Sequence, residues 1–165
     1  MNYAEIKERD ITNGEGVRVS LFVTGCEHNC KGCFNKSIWD FDKGKEFTPK
    51  TLDKILLLLK EKYIQGFSLL GGEPLHPSNI NGCRDMLAKI KEKYPKKDIW
   101  VWTGYDFEEI LLDRPEILQY IDILVDGKFE QDKRDLSLKF AGSTNQRIID
   151  VKKTLRNGNV ELYNV

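Results

Sequence analysis

The segment VRVSLFVTGC, residues 17–26, leads from a β-strand pattern directly into a cysteine. Its first seven residues, Val17–Val23, alternate loosely between apolar and other side chains, and this pattern predicts a strand. Thr24 and Gly25 end the strand, and Cys26 opens the loop CEHNCKGC, in which three cysteines follow the spacing C-x3-C-x2-C. The sequence therefore predicts a cluster of thiols at the carboxyl end of a strand.

Helix and strand patterns alternate downstream of this loop. The predicted elements are, in chain order, a helix capped by Thr48 and Pro49 with the apolar face Leu52, Ile55, Leu56 and Leu59; a strand at Phe67–Leu70; a helix with the stripe Ile80, Cys83, Leu87 and Ile90; a strand at Ile99–Trp102; a short helix with a capping box of Asp106 and Glu109; and a strand at Ile121–Val125. The turns after these three strands are Gly71-Gly72-Glu73-Pro74, Thr103-Gly104 and Asp126-Gly127-Lys128.

This alternation predicts an α/β fold built from right-handed βαβ units, with a mostly parallel sheet. Four or five strands are too few for a closed eight-stranded barrel, so we expect an open, partial (βα) barrel. In such sheets the chemistry gathers at the carboxyl ends of the strands, so the glycine-rich turns should converge on one rim. We expect residues 1–165 to form a single domain, with a core of about 15–128 and a C-terminal extension at 129–165.

The C-terminal part departs from the alternating pattern. Residues 127–156 hold eight Lys or Arg against four acidic residues, a local excess of four positive charges. Such an excess is typical of a solvated face, and docking to an acidic partner surface is the alternative. Asn157-Gly158 stands between Lys153–Leu155 and Val160–Leu162, which favours a β-hairpin.

The amino-acid composition excludes several classes of protein. Of the 165 residues, 40% are hydrophobic and 32% are charged, which is typical of a globular protein rather than a disordered or collagen-like one. The chain has 26 basic residues (Lys and Arg) and 26 acidic residues (Asp and Glu). It therefore lacks the basic excess that is typical of nucleic-acid-binding proteins. The longest aliphatic run, Ile55–Leu59, is far too short to span a membrane, and the N-terminus has no signal-peptide core. A cytoplasmic protein is expected.

The spacing of Cys26, Cys30 and Cys33 suits a [4Fe–4S] cluster, in which each cysteine binds one iron. Since the cluster has four irons, one iron lacks a protein ligand, and an open position is what a catalytic metal centre needs. A 2+ cluster with three thiolates is negatively charged and attracts a cation. S-adenosylmethionine is a sulfonium compound, and its amino and carboxylate groups can chelate the bare iron.

Two other interpretations of the cysteines stay open at this point. A structural zinc site would combine the three with His28 or Cys83, although zinc sites usually consist of two pairs separated by a longer span. An electron-transfer ferredoxin would supply four cysteine ligands. Cys83 lies on the apolar stripe of a predicted helix, however, where a buried, inert thiol is expected.

Together these motifs resemble the radical S-adenosylmethionine superfamily and, within it, the activating enzymes of glycyl-radical enzymes. The similarity is greatest to the family that activates anaerobic ribonucleoside-triphosphate reductase. It rests on the blocks NGEGVR (13–18), LFVTGC (21–26), CFNKSIW (33–39), GGEPLHP (71–77), DIWVWTGY (98–105), VDGKF (125–129) and GSTNQR (142–147). Two positions depart from patterns common among related enzymes: Gly32 stands in place of an aromatic residue, and Trp102 in place of an acid beside Thr103.

The resemblance implies a role for each matching residue. The metal ligands would be Cys26, Cys30 and Cys33. The residues that bind S-adenosylmethionine would be Gly32, Cys33 and Phe34 at the adenine, Gly72 and Glu73 at the methionyl amine with Gly71 beside them, and Asp126 and Lys128 at the ribose or carboxylate. No proton transfer is needed in the central step, so no catalytic acid or base is expected.

The resemblance also implies an activity. The chain would cleave S-adenosylmethionine reductively at a [4Fe–4S] cluster, and the resulting 5′-deoxyadenosyl radical would take a hydrogen atom from a glycine of the anaerobic (class III) reductase. The implied partners are that reductase and an external one-electron donor such as a flavodoxin. By contrast, Asn145-Gln146-Arg147 has no chemistry that its residues alone indicate, beyond a polar loop.

Overall fold

The computed structural model describes residues 1–165, whose strands form one seven-stranded sheet. In chain order the strands are β1 (Asn2–Asp10), β2 (Val17–Val23), β3 (Lys45–Glu46), β4 (Ile64–Gly71), β5 (Asp98–Trp102), β6 (Ile123–Asp126) and β7 (Arg147–Asp150). The order across the sheet is β3-β1-β2-β4-β5-β6-β7. The four predicted strands correspond to β2, β4, β5 and β6, whereas β1, β3 and β7 were not predicted.

The centre of the sheet is parallel. β2 pairs with β4, β4 with β5 and β5 with β6, with Val19 opposite Phe67 and Phe67 opposite Ile99. The flanking strands β1, β3 and β7 are antiparallel to their neighbours. The predicted α/β fold with a parallel sheet is thus confirmed for the four central strands, and the sheet is open, with β3 and β7 at its edges.

The helices begin where the sequence places caps. They are α1 (Pro49–Leu59), α2 (Ile80–Lys93), α3 (Phe107–Asp113) and α4 (Val151–Asn157), with 3-10 turns at Lys36–Ile38, Pro115–Tyr120 and Gln131–Lys133. At the start of α3 the Asp106 N–H donates to Glu109 Oε2 at 2.8 Å, which confirms the predicted capping contact. None of these helices has the length and apolar character needed to cross a membrane.

The predicted hairpin around Asn157-Gly158 is wrong. Residues 151–157 form α4, whose first turn is capped by Asp150 Oδ1, an acceptor for the Lys153 N–H at 2.9 Å. Gly158 adopts φ +76°, the left-handed conformation that ends helices, and its N–H donates to Thr154 O at 2.9 Å. An Asn-Gly pair fits a helix end as well as a tight turn, and burial of the Val151 and Thr154 face favours the helix.

The two faces of the sheet have different neighbours. Val19, Leu21 and Val101 belong to the main hydrophobic core, which also contains the buried faces of the helices. Because side chains alternate along a strand, Phe22 and Trp102 lie on the other face. That second face, partly covered by residues 135–142, lines a cavity of about 670 Å³.

Candidate functional site

The carboxyl ends of neighbouring strands meet at one rim of the sheet, as the turn positions predict. The Gly72 N–H donates to Val23 O at 2.8 Å, and the Glu73 N–H donates to Gly25 O at 2.7 Å. These bonds fasten the turn after β4 to the start of the cysteine loop after β2. The two motifs that carry the sequence resemblance are therefore in direct contact.

Two glycines make this contact possible. A Cβ on Gly72 would overlap the carbonyl oxygen of Gly25, so only glycine fits at position 72. Gly71 has φ +116°, and a Cβ there would overlap the Val23 backbone. The glycines after β4 thus allow one turn to lie flat against the other.

The cysteine loop presents three thiols at the surface. Its base is fixed by the Cys26 N–H, which donates to Trp39 O at 2.9 Å, and the Cys33 N–H donates to Cys30 O at 3.2 Å within the loop. All three loop cysteines are partly exposed, whereas Cys83 on α2 is fully buried in the main core. The expectation that Cys83 is a buried core thiol is confirmed.

Two of the loop thiols, those of Cys26 and Cys30, are suited to metal ligation rather than to nucleophilic attack. Burial raises the pKa of Cys26 to about 11, despite a lowering contribution from the His28 backbone. Burial also raises the pKa of Cys30, against lowering contributions from the Phe129 backbone and the Lys128 ammonium. Such thiols are neutral near pH 7 and weakly reactive. A bound metal would favour their thiolate form, so the donor set fits a metal cluster.

The side-chain arrangement disfavours a zinc site. No group of three or more His, Cys, Asp or Glu side chains is placed to hold a single metal ion. Cluster ligation has a different requirement, because each cysteine binds a different iron and the thiols need not meet at one point. Of the two candidate fourth zinc ligands, His28 is engaged with Glu73 and Cys83 is buried in the core.

A cavity of about 670 Å³ opens beside the loop. This volume is in the usual range for small-molecule sites. The predicted site residues that line the cavity are Cys26, Cys30, Cys33, Phe34, Gly71, Gly72 and Glu73. The structure thus brings the predicted metal ligands together with the predicted residues for the methionyl amine.

Three predicted cofactor residues lie outside this cavity wall. Gly32 packs against Gln131, whose Cδ would be 2.9 Å from a Cβ at position 32. Lys128 lines a smaller cavity of about 240 Å³. His28 lines both cavities and so stands between them. The third residue, Asp126, is buried beneath the turn that follows β6.

Glu73 is the most constrained side chain of the site. It is 1% exposed, and its Oε1 accepts hydrogen bonds from the Leu75 N–H at 2.9 Å and the Thr103 hydroxyl at 2.8 Å. Its Oε2 accepts from the Gly104 N–H at 2.7 Å and lies 2.7 Å from His28 Nε2. A carboxylate has about four lone-pair sites, so its capacity is filled. The fixed negative charge therefore stands at the meeting point of three strand ends.

The sequence places Thr103-Gly104 at the rim without assigning those residues a partner. The same holds for His28, which the sequence offers only as a candidate fourth zinc ligand. Their shared partner is Glu73, which is 30 to 45 residues away along the chain. The sequence indicates that Thr103-Gly104 lies at a strand end, and so near the site. It does not indicate the contact with Glu73, because the residues are distant in the chain and only the folded structure brings them together.

The buried carboxylate of Asp126 forms an ion pair with the partly exposed Arg147. Its Oδ1 accepts from Arg147 Nε at 3.0 Å, and its Oδ2 accepts from the Arg147 guanidinium at 2.5 Å and from the Phe107 N–H at 2.8 Å. Arg147 also donates to both carboxylate oxygens of Glu108, at 3.1 and 2.7 Å. The hydrogen bonds to these two carboxylates raise the pKa of Arg147 above its ordinary value. Asn145-Gln146-Arg147 thus contributes a structural cation that its sequence alone did not indicate.

Comparison with known proteins agrees with this geometry. The family described as a 4Fe-4S single cluster domain matches residues 12–149. The chain is 49% identical over 152 residues to the anaerobic ribonucleoside-triphosphate reductase-activating protein of Pasteurella multocida (strain Pm70), a match that covers 90% of this chain and 96% of that protein.

Proteins of the same name from other sources are similarly close. That of Escherichia coli (strain K12) is 46% identical over 148 residues, covering 88% of this chain and 96% of that protein. That of Enterobacteria phage T4 is 45% identical over 148 residues, covering 90% of this chain and 93% of that protein. The chain therefore belongs to the family of anaerobic ribonucleoside-triphosphate reductase-activating proteins.

Proposed function

We propose that the chain activates anaerobic (class III) ribonucleoside-triphosphate reductase by forming a glycyl radical on that enzyme. The observation that carries the proposal is the position of Cys26, Cys30 and Cys33 on the wall of a cavity that also contains Gly71–Glu73. Three loop cysteines leave one iron of a cube open to a small molecule. The names of the relatives indicate the same activity.

When bound, a [4Fe–4S] cluster supplies the electron that splits S-adenosylmethionine into methionine and a 5′-deoxyadenosyl radical, which takes a hydrogen atom from a glycine of the reductase. Cys26, Cys30 and Cys33 would each hold one iron. The fourth iron would be left for the amino and carboxylate groups of the ligand. No side chain of the protein has to give or accept a proton in this step.

The turn after β4 would bind the methionyl amine. Because four partners already occupy the lone pairs of its carboxylate, Glu73 would attract the ammonium group through its fixed negative charge rather than by accepting a further hydrogen bond. Gly71 and Gly72 would let the amine approach the backbone. This role is supported by the presence of all three residues on the cavity wall.

The adenosine part would lie between the cysteine loop and the turn after β6. Gly32, Cys33 and Phe34 would line the adenine. Asp126 and Lys128 would orient the ribose or the carboxylate. The Phe34 ring is 61% exposed and lies 5.1 Å from the Phe129 ring, so an aromatic surface is available beside the loop.

The proposed fold is the open, partial (βα) barrel of radical S-adenosylmethionine enzymes. It is supported by the parallel strands β2, β4 and β5, whose side chains Phe22, Leu70 and Trp102 line the cavity. We treat 1–165 as a single domain with a core of about 15–128 and an extension at 129–165. The pairing of β7 with β6 supports this, since it makes the extension part of the same sheet.

The reductase would complete the site. Two side chains near the cavity, Phe34 and Leu136, are 61% and 82% exposed, so apolar surface is available to a docking protein. An external one-electron donor such as a flavodoxin would reduce the cluster, and the cytoplasm would supply both proteins. Docking of the reductase would also exclude water from the radical.

The test is anaerobic reconstitution with iron and sulfide, followed by mixing with the reductase, S-adenosylmethionine and a reductant. We expect 5′-deoxyadenosine and a glycyl-radical doublet in the paramagnetic resonance spectrum of the reductase. A colourless protein with one zinc and no such product would contradict the proposal. Formation of 5′-deoxyadenosine without the doublet would remove the reductase as the substrate and keep the cleavage reaction.

A further inference from the structure

Three consecutive side chains bind the last residue of β6, Asp126, and the two residues after it, a segment called here the Asp126–Lys128 turn. The contacts are Asn145 Nδ2 to Lys128 O at 2.8 Å, Gln146 Nε2 to Gly127 O at 2.9 Å and Arg147 Nε to Asp126 Oδ1 at 3.0 Å. The two segments run antiparallel, so each residue of one faces its counterpart in the other. The proposed function uses Asp126 and Lys128 but assigns nothing to the three residues that hold them.

Gln146 also joins this turn to a second part of the cavity wall. Its Oε1 accepts from the Gly142 N–H at 2.8 Å and the Ser143 N–H at 3.3 Å, while its Nε2 donates to Gly127 O. Gly127, Gly142 and Gln146 all line the cavity of about 670 Å³. The Gln146 amide therefore fixes the distance between the turn at Gly127 and the segment at Gly142-Ser143.

The second segment is in contact with the cysteine loop. A Cβ on Gly142 would lie 3.1 Å from the Phe129 ring and 3.3 Å from the Phe34 ring, so the Gly142 backbone packs directly on this aromatic pair. Phe34 follows Cys33 in the chain. By positioning Gly142, Gln146 thus helps to position the aromatic side chains beside the cysteine loop.

We propose that Asn145, Gln146 and Arg147 form a positioning clamp that sets the shape of the nucleoside end of the cavity. The inference rests on the proposed function, because S-adenosylmethionine is the ligand whose nucleoside would occupy that end. The clamp acts through the Asp126–Lys128 turn and through Gly142. Its members are positioning residues, and none of them is required to touch the reacting atoms.

The main test is the Gln146→Glu substitution. Glutamate keeps the size of the side chain and an acceptor for the Gly142 N–H, but its carboxylate cannot donate to Gly127 O and repels that oxygen. Gln119→Glu is the matched control, since Gln119 Nε2 also donates to a backbone carbonyl, that of Glu116 at 2.8 Å, in an exposed 3-10 turn. Asn145→Ala is a second variant, which removes only the bond to Lys128 O.

Binding is measured by anaerobic equilibrium dialysis of S-adenosylmethionine against the reconstituted proteins, with iron content and thermal unfolding recorded for each. We expect Gln146→Glu to weaken binding about tenfold and Asn145→Ala about threefold, with iron content unchanged. Gln119→Glu should bind like the wild type. In steady-state cleavage assays, Gln146→Glu should raise KM by a similar factor while kcat changes by less than about twofold.

The outcomes separate the clamp from the proposed function. If the wild type binds S-adenosylmethionine and both Gln146→Glu and Asn145→Ala bind it equally well, the clamp is contradicted and the proposed function stands. A lower unfolding temperature without weaker binding also contradicts the clamp, because it shows a purely structural role. Absence of binding by the reconstituted wild type overturns both.

Discussion

His28 Nε2 lies 2.7 Å from Glu73 Oε2, so a side chain between two predicted cluster ligands is joined to the turn after β4. The same Glu73 oxygen accepts from the Gly104 N–H at the end of β5. Glu73 is therefore the point at which the cysteine loop and two strand ends are held together. A carboxylate fixed in this way offers a preorganised negative charge to a cationic ligand.

Glu73→Gln should weaken both the fold and ligand binding. The new NH2 group replaces an oxygen that has two partners, one of them a backbone N–H, and leaving that buried N–H unpaired costs about 2 kcal/mol of unfolding free energy. Loss of the negative charge should weaken S-adenosylmethionine binding about tenfold or more. Urea unfolding and anaerobic equilibrium dialysis measure the two effects.

Glu92→Gln is the matched control for this substitution. Glu92 is exposed on α2 and pairs with Lys89 at 3.3 Å, a surface contact worth less than about 0.5 kcal/mol. Both measurements should match those of the wild type. Equal behaviour of Glu73→Gln and Glu92→Gln would show that the Glu73 network has no role.

The four cysteines should divide into two groups. Replacing any one of Cys26, Cys30 and Cys33 by alanine should abolish stable binding of iron, because the cube then keeps only two of its three protein ligands. Cys83→Ala should keep the wild-type iron content and instead lose about 1–2 kcal/mol of stability through the cavity it leaves. Iron analysis and thermal unfolding of the four variants distinguish the groups, and loss of iron in Cys83→Ala would overturn this division.

Arg18 should be the most costly charged side chain to remove. It is fully buried, donates to Ser68 Oγ at 2.7 Å and lies 2.5 Å from Asp98 Oδ1. Arg18→Met leaves these polar groups without their partner, which should destabilise the fold by about 3–5 kcal/mol in urea unfolding. Lys54→Met, at an exposed pair with Glu8, should cost less than about 1 kcal/mol. A similar small cost for Arg18→Met would contradict the structural role of this residue.

Asp10 should make stability depend on pH. Burial acts to raise its pKa, but hydrogen bonds from Asn13 and from the Thr12 N–H and hydroxyl oppose this, and the pKa is lowered from 3.8 to about 2. Because the folded pKa lies below the unfolded one, the stabilisation is present above about pH 4 and is lost as the pH falls towards 2. Asp10→Asn should therefore cost about 1–2 kcal/mol at pH 7 and clearly less at pH 3. An equal cost at both pH values would show that ionisation of Asp10 is not involved.

The parallel centre of the sheet could be predicted because each of its strands has a local apolar pattern and ends in a glycine-rich turn. β1 could not be predicted, since its sequence NYAEIKERD is largely polar and has no clear strand pattern. It is a strand because it pairs with β2. β7 likewise has only four residues and is defined by its pairing with β6. The Asn157-Gly158 pair shows the opposite problem, because a strong local signal fits two structures.

The candidate site shows the same division. The three cysteines and Gly71–Glu73 could be selected from spacing and from strand-end position, and the fold places them on one cavity wall. The partners of Glu73 and of Asp126 could not be predicted. Thr103 contacts Glu73 from 30 residues away along the chain, and Arg147 contacts Asp126 from 21 residues away. Long-range hydrogen bonds leave no periodic pattern in a sequence.

The central claim is that three cysteines hold a [4Fe–4S] cluster whose fourth iron is open to S-adenosylmethionine. The most direct measurement is the Mössbauer spectrum of the protein reconstituted with ⁵⁷Fe, recorded with and without S-adenosylmethionine. We predict that one iron in four changes its isomer shift when the ligand is added, while the other three keep theirs. Four irons whose spectra do not respond to the ligand would mean that the polypeptide already caps every iron, and would contradict the claim.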